Sequence, residues 1–193
     1  MVHGAGDPSA WVERFAAWLP RGEVLDLACG SGRHARLLAA LGHPVLALDR
    51  DPAALAQAAG PGIATLACDL EDGITPWPFA QARFAGIVVT NYLHRPLMAD
   101  LARSLAPDGL LIYETFSVGN EAYGKPSNPA FLLGEGELLA LAAALGLRVL
   151  AYEDGYTGAP RPAMVQRLCA AGPEFPRAKA LIGPRDGQAG TRF

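Results

Sequence analysis

The chain is poor in cysteine and has no excess of basic charge, and each shortage removes a class of protein. Three cysteines, Cys29, Cys68 and Cys169, are odd in number, widely spaced and without a CxxC pair. That excludes a disulfide framework and a thiolate zinc site, and it fits a reducing, cytoplasmic compartment. No histidine pair has metal-ligand spacing, so no metal is expected. Basic residues show no excess: 16 Lys and Arg stand against 19 Asp and Glu, a net charge of -3. Bulk electrostatics therefore give no reason to expect nucleic acid or an anionic membrane as partner. The longest apolar run, around Leu138 to Leu147, falls short of the roughly 20 residues of a membrane span. The start, "MVHGAGDPSA", has neither the basic leader nor the apolar core of a secretion signal.

What the chain does have is an apolar half (51%) distributed over 193 residues, enough for one domain with a substantial core. The expected organisation is a single domain over 1–171, opened by an N-terminal helix, and a proline- and glycine-rich tail over 172–193 that is partly disordered. Trp11, Phe15, Trp18 and Leu19 recur at helical spacing after Ser9 or Asp7 as cap, and Pro20 stops that helix. Short apolar runs then alternate with helical segments. "EVLDLAC" reads as a strand buried on both faces, as a parallel sheet requires, and "VLALD", "IATLACD", "FAGIVVTN" and "LLIYETF" read as the strands that follow it. Asp51 and Pro52 open one helix, another follows Pro96, and a third spans Glu135 to Leu145. "LRVLAYED" and "AMVQRLCAA" have no helix between them, so they should pair antiparallel. Between the fifth strand and the last helix, "SVGNEAYGKPSNPAFLLG" has no period, which suits a binding loop that closes over a substrate.

Alternating strands and helices predict an α/β, doubly wound, Rossmann-like sheet, whose ligand crevice lies beyond the carboxyl ends of the strands where their order reverses. The tip of the first strand carries Gly30 and Gly32, which let backbone approach a ligand without side-chain interference. Asp49, at the tip of the next strand, can accept two hydrogen bonds from a ribose diol. "GSGRHA" also satisfies the dinucleotide pattern G-x-G-x-x-G/A, so a nicotinamide-binding oxidoreductase or regulatory module shares these glycines. Two more acids discriminate. Asp26, inside the first strand, suits an ammonium group better than a pyrophosphate. Asp69, at the end of the third, can accept from an adenine amino group. Together the three describe an amino acid joined to adenosine.

With "VLDLACGSG", "LALDRDP" and "ACDLED", the chain from Glu23 to Ala170 resembles the class I S-adenosylmethionine (SAM) dependent methyltransferases. "DLACGSGRHA" looks like their small tellurite-resistance and thiopurine type branch, and "NYLHRPL" and "ETFSVGNEAYGKPSNPAFLL" look like a bacterial subgroup. The resemblance implies seven strands in order 3-2-1-4-5-7-6, with strand 7 antiparallel. It implies a cofactor, converted to S-adenosylhomocysteine (SAH), bound by Asp26, Ala28, Cys29, Gly30, Ser31, Gly32, Asp49, Arg50, Asp69, Leu70 and Asn91. The family's loop often begins with glycine where Ala28 stands. The family also places the reacting methyl group at the end of the fourth strand, where Asn91 and Tyr92 can line the sulfonium and His94 can act as general base.

Cys29 reads as small apolar filling, Cys68 and Cys169 as core, and His34 as lying on the exposed side of its helix. Arg95 can steer an anionic acceptor or pair with a nearby carboxylate. Tyr113 and Glu114 should face opposite ways, with Glu114 nearer the strand's end. The expected activity is methyl transfer to a small molecule. An RNA methyltransferase is the other alternative, although neither a basic face nor an added recognition domain is visible.

Overall fold

The computed structural model describes residues 6–180. The first helix, α1 (Ala10–Ala16), is capped by Ser9, whose hydroxyl accepts from the Trp11 amide. The chain then alternates: β1 (Val24–Leu27), α2 (Arg33–Ala40), β2 (Val45–Asp49), α3 (Pro52–Ala58), β3 (Ile63–Ala67), β4 (Phe84–Thr90), α4 (Met98–Ser104), β5 (Leu105–Phe116), α5 (Glu137–Ala144), β6 (Arg148–Thr157) and β7 (Ala163–Ala171). One seven-stranded sheet results, in order β3-β2-β1-β4-β5-β7-β6, and β7 runs antiparallel to both of its neighbours.

Alternation along each strand divides the core in two, because successive side chains leave opposite faces. On one face Val24, Val45, Ala47, Val88, Ile112 and Cys169 pack with α1 (Trp11, Phe15), α2 (Leu38) and α3 (Leu55). On the other, Leu25, Leu27, Ile87, Val89, Leu111, Tyr113 and Leu168 pack with α4 (Leu101) and α5 (Leu138). The strand order reverses between β1 and β4, which are parallel neighbours. That is where a doubly wound sheet leaves its crevice.

The last helix is shorter than its apolar pattern predicts. It begins at Glu137 because Gly136 takes a left-handed backbone and the buried Gln166 on β7 accepts from the Leu138 amide. The fifth strand is longer, starting at Leu105 ahead of the Pro107-Asp108-Gly109 turn. Residues 172–175 are tied to the sheet, and 176–179 are exposed. Phe175 is buried, and the amides of Gly172 and Glu174 donate to the carbonyls of Gly109 and Pro107. The remainder of the expected tail lies outside the described residues.

Candidate functional site

The turn from β1 into α2 alternates left-handed residues: Ala28 at φ 53°, Gly30 at 54° and Gly32 at 78°. The two glycines are required for different reasons. A Cβ on Gly32 would stand 2.5 Å from the Cβ of Ala58, so this glycine lets α2 start against the end of α3. A Cβ on Gly30 would meet nothing within 4 Å, so here the backbone borders open space. Ala28 holds a conformation that costs an L-residue about 1–2 kcal/mol, which accounts for the glycine common at that point in the resembled family.

Asp49 braces the same turn. Its Oδ2 accepts from the Gly30 amide at 2.7 Å and its Oδ1 from the Asp51 amide at 3.0 Å. Each carboxylate oxygen accepts more than once, so both retain capacity towards a ligand. Asp26 is 1% exposed, and its Oδ2 has no hydrogen-bond partner among the described residues. Burial raises its pKa to about 7, against the lowering effects of the Ala35 backbone and the Arg33 charge. Asp69 accepts from the Glu71 amide at 2.9 Å.

A cleft of about 160 Å³ opens between these tips. Leu27, Ala28, Leu48, Asp49 and Arg50 form one part of its lining, and Cys68, Asp69, Leu70, Glu71 and Tyr92 the other. Of the expected cofactor residues, Ala28, Asp49, Arg50, Asp69 and Leu70 line this cleft, and so does Tyr92. Asp26, Cys29, Gly30, Ser31, Gly32, Asn91 and His94 lie off its lining. Leu27, Leu48, Cys68 and Glu71 were not anticipated. Their signal was position, since each lies within two residues of one of the three acids. Cys68 is half-buried, packed against the core and at the same time lining the cleft. Cys29 and Cys169 are buried, and burial pushes both thiols up.

At the tip of β4, Asn91 is exposed, has φ 55° and donates its amide to the Glu114 carbonyl. The buried Tyr113 hydroxyl donates to the Tyr92 carbonyl at 2.8 Å, which fixes the backbone beside the cleft. Burial and the neighbouring Glu71 carboxylate push the Tyr92 phenol up. His94 is half-buried and precedes the 3-10 turn Arg95–Leu97. Arg95 forks onto both Glu137 oxygens at 2.6 and 2.8 Å and donates to the Ala130 and Leu132 carbonyls, so it anchors the loop over 118–133. Tyr113 and Glu114 do face opposite ways: Glu114 accepts from Ser9 and from Arg167 on the α1 side.

His34 departs from its sequence reading. It is 1% exposed, not on the outer side of α2. The buried stripe of α2 is His34, Ala35 and Leu38, while Leu41 is 49% exposed. The imidazole is admitted to the interior because Ser9 and Thr90, from elsewhere in the chain, supply its polar contacts.

Residues 24–109 match the methyltransferase domain family. A stretch of 107 residues is 36% identical to protein-L-isoaspartate O-methyltransferase of Chlorobaculum tepidum, covering 53% of this chain and 49% of that protein. The chain thus spans about half the length of this curated relative. Among solved structures, TehB from Haemophilus influenzae superposes with a TM-score of 0.69 at 18% identity, over 86% of this chain and 62% of TehB. An S-adenosylmethionine dependent methyltransferase from Mesorhizobium loti gives 0.65 at 21%, over 84% and 98%. The 1,6-didemethyltoxoflavin-N1-methyltransferase of Burkholderia thailandensis, with 1,6-didemethyltoxoflavin and S-adenosylhomocysteine bound, gives 0.60 at 23%, over 84% and 78%. These likenesses concern the fold. Together with the matched segment and the strand order, they give the chain the fold of the class I S-adenosylmethionine-dependent methyltransferases.

Proposed function

We propose that the chain transfers a methyl group from SAM to a small-molecule acceptor, with the whole activity carried by one domain over 1–171. The observation that supports it most is Asp26, a buried carboxylate with an unpartnered oxygen next to a glycine turn that borders open space. A buried charge needs a counter-charge, and the ammonium of an amino-acid-bearing nucleoside supplies one. A pyrophosphate would be repelled there, which disfavours the dinucleotide reading. Asp49 takes the ribose diol, Asp69 the adenine edge, and the apolar residues Leu27, Leu48 and Leu70 flank the base.

SAM supplies a methyl group already activated by its sulfonium charge. The chain's own task is alignment and exclusion of water. Tyr113 holds the backbone of Tyr92, so the Asn91–Tyr92 turn is kept fixed at the β4 tip. A thiolate-like acceptor needs no base. For an oxygen or nitrogen acceptor His94 takes the proton, since it makes no side-chain hydrogen bond or ion pair among the described residues and a neutral imidazole has a ring nitrogen free to accept one. The absence of a basic excess favours a small acceptor over RNA, as does the 1,6-didemethyltoxoflavin bound to the Burkholderia thailandensis enzyme.

Calorimetry with SAH tests the donor half of this reading. The wild type is expected to bind, and Asp49→Ala to bind about tenfold more weakly, for two hydrogen bonds to a charged acceptor. No heat at millimolar SAH would overturn it. Labelled-methyl transfer to isoaspartyl peptides, with none to small heterocycles or thiols, would overturn the acceptor half.

A further inference from the structure

His34 and Thr90 carry a hydrogen-bond sequence whose direction can be worked out. The Ser9 amide lies 3.1 Å from His34 Nε2, and His34 Nδ1 lies 3.3 Å from Thr90 Oγ1. A backbone amide only donates, so Nε2 bears no proton. Burial lowers the ring's pKa to about 3, so the imidazole is neutral and its proton sits on Nδ1, aimed at Thr90. The Thr90 oxygen therefore accepts from His34, and its own proton is left over. Thr90 is 8% exposed and makes no other side-chain hydrogen bond among the described residues.

A buried donor without a partner is costly, and so is a buried acceptor. Both occur at one place. Asp26 pairs with Val88 across the β1–β4 ladder, and Thr90 lies two residues beyond Val88, on the same face and one step nearer the glycine turn. Asp26 thus offers an unpartnered carboxylate oxygen and Thr90 an unpartnered hydroxyl proton, on adjacent strands at the point where the strand order reverses. The group complementary to both is a zwitterion, an ammonium for the acid and a carboxylate for the hydroxyl.

We propose that Thr90, fixed as a one-way donor by His34 and through it by Ser9, binds the carboxylate of the donor's amino-acid head while Asp26 binds its ammonium. Thr90 is then a cofactor-binding residue, and His34 and Ser9 are positioning residues. The N-terminal helix becomes part of the site through its cap. This inference rests on the reading of the site as one for SAM.

The test compares SAH with 5′-methylthioadenosine, the same nucleoside without the amino-acid head, by calorimetry. Wild type should bind SAH the more tightly. Thr90→Val should weaken SAH about tenfold and leave methylthioadenosine unchanged, and Thr90→Ser should restore SAH binding. His34→Gln, whose amide can accept from Ser9 and donate to Thr90, should stay within about threefold of wild type, and His34→Leu should behave like Thr90→Val. The methyl ester of SAH, tested on wild type, should bind about tenfold more weakly than SAH, an arm that does not depend on any variant folding. Equal losses for both nucleosides in Thr90→Val, or an unaffected ester, would overturn the assignment. If wild type binds neither nucleoside, the reading of the site as one for SAM fails instead.

Discussion

Asp26 is a carboxylate that the protein alone leaves incompletely satisfied, and pH exposes this. Its folded pKa of about 7 lies above the unfolded value of 3.8. The native state therefore binds more protons than the unfolded chain between those values, and stability of the ligand-free protein falls as pH rises through that window. His34 has the opposite slope. Its folded value of about 3 lies below the ordinary 6.5, so stability falls as pH drops from about 6.5 towards 3. The two largely offset each other in wild type, and Asp26→Asn separates them. Urea unfolding should find Asp26→Asn more stable than wild type at pH 8, by on the order of 3 kcal/mol, with little difference at pH 4. A difference that does not vary with pH would contradict this account. The same ionisation should make wild-type affinity for SAH rise between pH 6 and 8, and Asp26→Asn should abolish that dependence.

Among the elements, the segment after β5 is irregular yet held at many points. Asn120 is buried, donating to the Pro126 carbonyl and accepting from the Met164 amide of β7. The Val118 amide donates to the Leu133 carbonyl, and Arg95 clamps the far end onto α5. No hydrophobic period could reveal this, because the clamp comes from a residue 35 and 37 positions before the carbonyls it binds. Arg95→Ala should leave SAH affinity within twofold, since Arg95 is not on the cleft lining. Cleavage near Tyr123 or Phe131 by chymotrypsin should become severalfold faster. The pair with Glu137 is partly exposed, so global stability should fall by only about 1 kcal/mol. Unchanged cleavage would mean that the β7 contacts alone hold the loop.

In the molecule as a whole, helices cover both faces of the sheet, and the site occupies the end where the strand order reverses. Among the described residues no helix is long and apolar enough to cross a membrane. A ligand bound only by the folded state adds about 2.7 kcal/mol at a hundredfold excess over Kd. For a chain of this length that corresponds to a Tm increase of roughly 5–10 °C. Thermal unfolding with saturating SAH should show this increase, and NADH at the same concentration should show none. The reverse result would move the chain to the dinucleotide-binding class.

The sequence by itself determined whatever depends on neighbours a few residues apart. Strand and helix periods, the N-cap Ser9, the Asp51–Pro52 helix start, the glycine turn, the acid within the first strand and the acids at the ends of the next two were all readable, because each follows from local backbone geometry or side-chain alternation. Only the tertiary structure decided which polar residues enter the interior. The phase of α2 was misread at His34 because imidazole counts as polar until Ser9, 25 residues before it, and Thr90, 56 residues after it, satisfy both ring nitrogens. Gln166, Tyr113 and Arg95 likewise depend on distant partners. Hydrogen-bond satisfaction is a property of the assembled fold, so no window along the chain contains it.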